Sequence, residues 1–239
     1  MNIRVVSLVD SKNRLPFSSR FNPLEFEFFD ALLGGRHKKS FNESLFQFKY
    51  NRVARDGEIG CTLSHYIIIK ELIETNLESM IILEDDAIPV KEFFDFYADL
   101  FLKNNKPSIF LLGHSKTREK DLWLQRLKQP LKEVINLNGF SFGINHRITE
   151  CGTVGYIINR KAAEIISAYD SPYWLADDWK FFEEIGIHVY HPVKPLIYED
   201  LTTVSTTGNA VCLNHSIYNK TLLQIGSVVK SRLFHYLNK

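Results

Sequence analysis

The chain has 239 residues, with 29 Lys and Arg against 28 Asp and Glu, which leaves a formal net charge of +1. That balance argues against a generally basic nucleic-acid binder, so no nucleic-acid partner is expected, and against an acidic disordered chain. Hydrophobic residues make up 45% and charged residues 24%, the mix of a globular protein that buries roughly three quarters of its unfolded surface without a disulfide or metal staple.

Residues 3–9 are apolar and β-branched and predict a strand running into a polar loop at 10–14. Residues 24–33 set Leu24, Phe26, Phe28 and Phe29 among Glu25, Glu27 and Asp30, a short strand before a turn at Gly34-Gly35. Residues 36–55 carry Arg36, His37, Lys38, Lys39, Lys49, Arg52 and Arg55 without clear periodicity and predict an excursion loop. Ile59, Leu63, Tyr66 and Ile67 follow helical spacing and predict a helix over 57–75. An apolar strand at 79–83 runs straight into Glu84-Asp85-Asp86. Beyond Pro89 come a helix at 91–104, a buried strand at 108–112, a charged irregular stretch at 115–132 and strands at 134–137 and 153–158. Helices at 160–169 and 176–184 and a strand at 187–190 follow. Strands alternating with helices predict an α/β sandwich on one central, mixed but mostly parallel sheet. One domain is expected over residues 1–219, followed by a tail at 220–239.

Apolar runs such as 66–69, 80–83 and 109–112 fall far short of the about 20 residues a membrane span needs. The opening residues lack the apolar core of a secretory leader. Cys61, Cys151 and Cys212 are odd in number and scattered, which favours a reducing, cytoplasmic setting. Cys61 and His65 could share a helix face, but no further ligand in the sequence completes a zinc set, and a buried thiol is the plainer reading. The phosphate-cradling, dinucleotide and HExxH patterns are missing, which weighs against P-loop NTPases, typical dehydrogenases and zincins.

Two acidic groups remain. Glu84, Asp85 and Asp86 stand at the carboxyl end of a strand, where ligands sit in open α/β sheets. Unpaired, they would repel one another; a hard cation such as Mn²⁺ or Mg²⁺ resolves that, with Glu84 and Asp86 on one face. A solvated acidic turn is the alternative. Asp177-Asp178-Trp179 opens a predicted helix just after Tyr173-Trp174. One aspartate can cap the helix while the other faces a pocket walled by Trp174 and Trp179, whose indole faces suit an acceptor sugar.

These residues resemble a known family. Gly57-Glu58-Ile59-Gly60-Cys61-Thr62-Leu63-Ser64-His65 and then Ile82-Leu83-Glu84-Asp85-Asp86 look like the signature of glycosyltransferase family 25, the bacterial lipooligosaccharide galactosyltransferases. Phe26-Glu27-Phe28-Phe29-Asp30-Ala31, Gly152-Thr153-Val154-Gly155-Tyr156, Lys161-Ala162-Ala163 and Asp177-Asp178-Trp179 occur in the family's order, over about residues 1–205. Tyr198-Glu199-Asp200-Leu201-Thr202-Thr203 departs from the family pattern, which bears on acceptor choice. The resemblance implies a GT-A-type, Rossmann-like nucleotide-sugar fold and an inverting reaction. It also implies a UDP-hexose donor (usually UDP-galactose, for a β-linked, β-1,4 product), a Mn²⁺-type cofactor and a saccharide acceptor on lipooligosaccharide.

On that reading, Asp86 with Glu84 or Asp85 holds the metal, Asp85 also contacts the nucleotide-sugar, and His215 is the favoured third ligand over His188 and His191. Asp178 or Asp177 is the general base. Ser7 and Leu8 offer backbone contacts to uracil. Arg14 either reaches phosphate or is a solvated loop cation. Glu58, Ser64 and His65 face the nucleotide, or serve the helix N-terminus and its packing. The tail at 220–239 carries Lys220, Lys230, Arg232 and Lys239 and no acid, interleaved with apolar residues. It is either a basic amphipathic helix on an anionic inner-membrane surface or a helix docked on the core. The alternatives kept open are a glucosyltransferase of the same pathway, a non-catalytic nucleotide-sugar-binding module, and a metal-dependent nucleotidyltransferase or phosphohydrolase.

Overall fold

The computed structural model describes residues 2–98, 105–128, 130–145, 152 and 154–202, together with positions 226, 229, 230, 233 and 236. Its strands are β1 (Asn2–Ser7), β2 (Glu27–Asp30), β3 (Ser79–Glu84), β4 (Ala87–Pro89), β5 (Ser108–Leu111), β6 (Lys132–Leu137), β7 (Phe140–Ile144), β8 (Gly155–Asn159), β9 (His188–Pro192) and β10 (Ile197–Glu199). Its α-helices are α1 (Arg14–Phe21), α2 (Gly34–His37), α3 (Glu43–Tyr50), α4 (Asp56–Glu74), α5 (Lys91–Ala98), α6 (Leu122–Lys128), α7 (Arg160–Ser167) and α8 (Trp179–Glu184).

Eight strands form one sheet in the order β2-β1-β3-β8-β5-β9-β7-β6, and β10 pairs with β4 in a second, two-stranded sheet. β1, β2, β3, β5, β6 and β9 point one way, and β7 and β8 run against them. The expected class, α/β with a mixed sheet flanked by helices and most strands codirectional, is what the chain adopts.

The central strands are apolar on both faces, as strands covered by helices on both sides must be. Along β3, Met80 and Ile82 join Ile109, Tyr156, Ile158 and the apolar sides of α4, α7 and α8 in one layer. Ile81 and Leu83 join Val5, Phe110 and Ile157 with Phe17 and Phe21 of α1 and Phe93 and Phe96 of α5 in the other. Gly155 lets β8 lie close to β3, because a Cβ there would meet Leu83 Cδ2 at 2.4 Å. At the far end of α4, Arg160 donates to the carbonyls of Leu72, Ile73, Thr75 and Leu77. It thereby satisfies acceptors that a helix end leaves open.

Residues 36–55 differ from expectation. They form α2, a 3₁₀ turn and α3 rather than an excursion loop. Phe46, fully buried among Phe41, Ala54, Ile59 and Leu63, is the anchor, and burial of such a ring contributes roughly 1.5–3 kcal/mol. α6 likewise forms within the stretch at 115–132 that reads as irregular, α1 follows directly on the loop at 10–14, and the Asn138-Gly139 turn, with both residues at positive φ, closes the β6–β7 hairpin.

Candidate active site

Side-chain alternation along β3 carries Glu84 to the α4 side of the sheet as the strand ends. Asp85 and Asp86 follow in the turn before β4, and the carboxylates diverge. Glu84 Oε1 lies 3.9 Å from His65 Nε2. Asp85 accepts from Ser7 Oγ at 2.6 Å and from Asn13 Nδ2 at 3.1 Å. Asp86 meets β10: its carbonyl accepts from the Asp200 N–H at 2.8 Å, and Glu199 stands opposite Ala87 in the ladder.

The carboxylates differ in what surrounds them. Desolvation and then the charges of Asp86, Asp177, Glu199 and Asp85 hold Glu84 well above the usual carboxylate range. Burial, then Glu199 and Asp85, raises Asp86 to about 7. One Asp86 oxygen, Oδ1, is buried without a hydrogen-bond partner. A hard divalent cation is what such a donor set lacks, since carboxylate oxygens in excess of positive charge suit Mn²⁺ or Mg²⁺. Asp86 and Glu84 are the candidates for that role; Glu199, whose charge acts on both, already accepts from Ser115 Oγ at 2.7 Å and the Lys116 N–H at 2.6 Å. Asp200 is tied to Arg20 at 2.5 Å.

The two later aspartates have separate situations. Asp178 is the N-cap of α8: Oδ1 accepts from the Phe181 N–H at 3.1 Å and Oδ2 from Tyr50 Oη at 2.5 Å, with Lys49 Nζ at 3.5 Å. Those contacts leave it poorly suited to take a proton from a substrate. Asp177 has only its own backbone amide and the more distant Lys116 charge to favour ionisation among the described residues, and burial, the larger effect, raises it to about 6. Its charge acts on Glu84.

Several predicted contacts are corrected by packing. Trp174 and Trp179 are each 2% exposed and belong to the core. Trp174 stacks on Phe181 at 4.9 Å and Trp179 donates to the Gly152 carbonyl at 3.2 Å, so neither offers a face to an acceptor. Arg14 is no free cation: it donates to the Ser7 and Leu8 carbonyls and to Asp30 Oδ1 at 2.5 Å. The Leu8 carbonyl is thereby occupied, and it also accepts from the Ser11 N–H. Glu58 is buried, taking both terminal nitrogens of Arg52 at 2.7 and 2.8 Å and the Arg55 N–H at 2.9 Å. These hydrogen bonds overcome the effect of burial and lower its pKa. Ser64 accepts from the Leu32 N–H and donates to the Gly60 carbonyl, and a Cβ at Gly60 would lie 2.2 Å from the Leu32 carbonyl oxygen. The Gly60 and Ser64 positions thus serve the close approach of α4 to the segment after β2. His65 is buried with Nδ1 2.9 Å from Tyr156 Oη, and burial lowers it to about 4. His191 stacks on His114, ring centroids 6.0 Å apart. His215 lies outside the described residues.

Asn13 and Tyr50 border the site and were passed over by the sequence reading, which named Glu199 and Asp200 only as part of a departure from the family pattern. Glu199-Asp200 carried a usable signal, an acidic pair ending an apolar run, as at Glu84. Tyr50 and Asn13 carried none, because their partners are far away in the chain.

Residues 1–179 match the model of glycosyltransferase family 25 (LPS biosynthesis protein). The lipooligosaccharide biosynthesis protein lex-1 of Haemophilus influenzae is 30% identical over 138 residues, 54% of this chain and 41% of lex-1, so the match spans less than half of that relative. The lacto-N-neotetraose biosynthesis glycosyltransferase LgtE of Neisseria meningitidis serogroup B is 26% identical over 84% of this chain and 75% of its own length. Among solved structures, the galactosyltransferase LgtC in complex with donor and acceptor sugar analogues aligns over 79% of this chain and 73% of its own. The TM-score is 0.36 and the identity 13%, a likeness too distant to bear on chemistry.

Proposed function

The chain belongs to glycosyltransferase family 25, and on that premise we propose that it transfers a hexose from a UDP-sugar to a saccharide of lipooligosaccharide, with inversion at the anomeric carbon. The donor is UDP-galactose and the product β-linked, as β-1,4. The observation that carries this reading is the orphaned Asp86 Oδ1 in the turn after β3 together with a second buried carboxylate, Asp177, whose charge acts on Glu84. The relative named for lacto-N-neotetraose biosynthesis is consistent with a sugar-chain acceptor.

Asp86 and Glu84, with Glu199 near them, would hold Mn²⁺ or Mg²⁺, and such an ion would supply positive charge against the diphosphate and the departing UDP. Asp177 takes the acceptor hydroxyl proton. At about 6 it is mostly ionised at neutral pH yet more basic than an ordinary aspartate, which is what a general base needs. Ser7, Asn13 and Arg14 fix the end of β1 and the Asp85 side chain as the floor of the nucleotide site. Domain 1–219 carries the reaction.

The tail at 220–239 meets the anionic cytoplasmic face of the inner membrane. Helical positions Val229, Leu233 and Tyr236, spaced by about one turn each, are 51%, 55% and 78% exposed, in keeping with an amphipathic helix. Among the described residues no helix is long and apolar enough to cross a membrane.

The test is UDP release by the purified chain across a panel of UDP-hexoses, with lactose- or N-acetylglucosamine-type acceptors, with and without Mn²⁺. Release that needs both the metal and an acceptor is expected, followed by linkage analysis of the product. Release independent of acceptor would point instead to a phosphohydrolase.

A further inference from the structure

Cys61 and His65 lie one turn apart on α4, so both side chains project toward the end of β3. One ligand atom from each of Cys61, His65 and Glu84 lies within 4.8 Å of the other two, with His65 Nε2 3.9 Å from Glu84 Oε1. His65 is 2% exposed, and its Nε2 is buried with no hydrogen-bond partner. Its other nitrogen, Nδ1, is 2.9 Å from Tyr156 Oη. If Nδ1 donates to the phenol oxygen, Nε2 keeps its lone pair free on the side of Cys61 and Glu84. Metal-bound histidines have this arrangement, with an outer partner fixing the tautomer and orienting the ring.

We propose that Cys61, His65 and Glu84 form a second cation site that takes Zn²⁺ or a similarly borderline ion, with its fourth position open to water. Zn²⁺ holds sulfur at about 2.3 Å and nitrogen or oxygen at about 2.0–2.2 Å in a tetrahedron. Ligand atoms around such an ion stand about 3.3–3.7 Å apart, so the observed trio needs only a modest contraction, which the partly exposed Glu84 side chain can supply. Thiolate and imidazole select against Mn²⁺ and Mg²⁺, which the Asp86 side of the same carboxylate suits better. Binding displaces the Cys61 thiol proton, together with any proton that Glu84 carries, to solvent.

The test is spectroscopic and needs neither donor nor acceptor, so it stands or falls apart from the transferase reading. The full chain, reduced and metal-free, is titrated with Co²⁺. One ion per chain is expected, with a thiolate-to-cobalt charge-transfer band that Zn²⁺ abolishes by displacement and a comparable concentration of Mn²⁺ does not. The band should vanish in Cys61→Ser and persist in a Cys151→Ser/Cys212→Ser variant. His65→Gln should weaken binding at least tenfold. Circular dichroism checks that each variant is folded, and Cys61→Ala stands in if the serine variant is not. Absence of the band in the unmodified chain, its survival in Cys61→Ser, or displacement by Mn²⁺ as readily as by Zn²⁺ overturns the proposal.

Discussion

Asp177→Asn should make the protein more stable and inactive. An ordinary aspartate titrates at 3.8, and burial raises Asp177 to about 6. At about 1.4 kcal/mol per pH unit, keeping this folded carboxylate ionised costs at most about 3 kcal/mol. The side chain is not wholly shut off from water, so about 1–3 kcal/mol is the expected range. Below the unfolded value both states are protonated and there is no cost. As pH rises from about 4 to about 6, the unfolded chain sheds its proton first and the folded state loses stability. Above about 6 the full cost persists. Asparagine has the same shape and no charge. The variant should therefore exceed the parent by that amount at about pH 7.5, a rise of several degrees in midpoint for a chain this long, and match it near pH 4. Urea melts of both proteins across this range, in chelator-treated buffer, measure the gap. Turnover of the variant should fall at least 100-fold, the usual worth of a general base. A gap that is absent at neutral pH or fails to close toward pH 4 refutes the electrostatic argument, and near-normal turnover removes Asp177 from the reaction.

Asp178→Ala should lose about 1–2 kcal/mol through the missing N-cap and the stranded Tyr50 hydroxyl, whereas Asp178→Asn keeps a capping oxygen and most of the turnover; paired melts and rates separate the two. Mn²⁺ should raise the melting midpoint more at about pH 7.5 than at about pH 5, because Asp86 titrates at about 7 and protonation competes with the ion, and chelation should abolish transfer. Trp174→Phe should cost about 1–3 kcal/mol as a core substitution while leaving the acceptor KM unchanged, since the indole is buried against Phe181; a large KM change would restore it to the acceptor site. Zn²⁺ should inhibit transfer in competition with Mn²⁺ by drawing on Glu84, and Cys61→Ser should relieve that inhibition by tenfold or more.

Periodicity and strand chemistry carried the fold. The α4 face and the apolar runs of β3 and β5 are local signals, readable because each residue's environment repeats along its own element. The segment at 36–55 was not readable in this way. Its anchor, Phe46, is a single ring whose pocket is built from Phe41, Ala54, Ile59 and Leu63, so no period announces it. The site divided along the same line. Glu84, Asp85 and Asp86 follow an apolar strand and were visible. Which of them is tied and which is left open depends on Ser7, Asn13 and β10, distant in sequence and joined only by pairing. The tryptophans misled because aromatic rings beside a carboxylate look alike in sequence whether they line a pocket or fill a core.

The distribution of donors is the most informative property of the acidic groups. Asp85 has Ser7 and Asn13, Asp178 has Tyr50 and the α8 amide, Glu58 has Arg52 and Arg55, and Asp200 has Arg20. Each of these is spent within the fold. Glu84, Asp86 and Asp177 lack comparable partners and are the three acids in this region whose pKa values burial raises. A fold selected only for stability would have paired or removed them, since an unpaired buried charge is among the costliest single features a chain can keep. Their retention in one place, beside neighbours that are all satisfied, is strain of the kind that a bound cation and a reacting hydroxyl relieve. The near-zero net charge conceals this, because the cations that balance the total, such as Arg52, Arg20 and Lys49, are committed to the acids that are already tied.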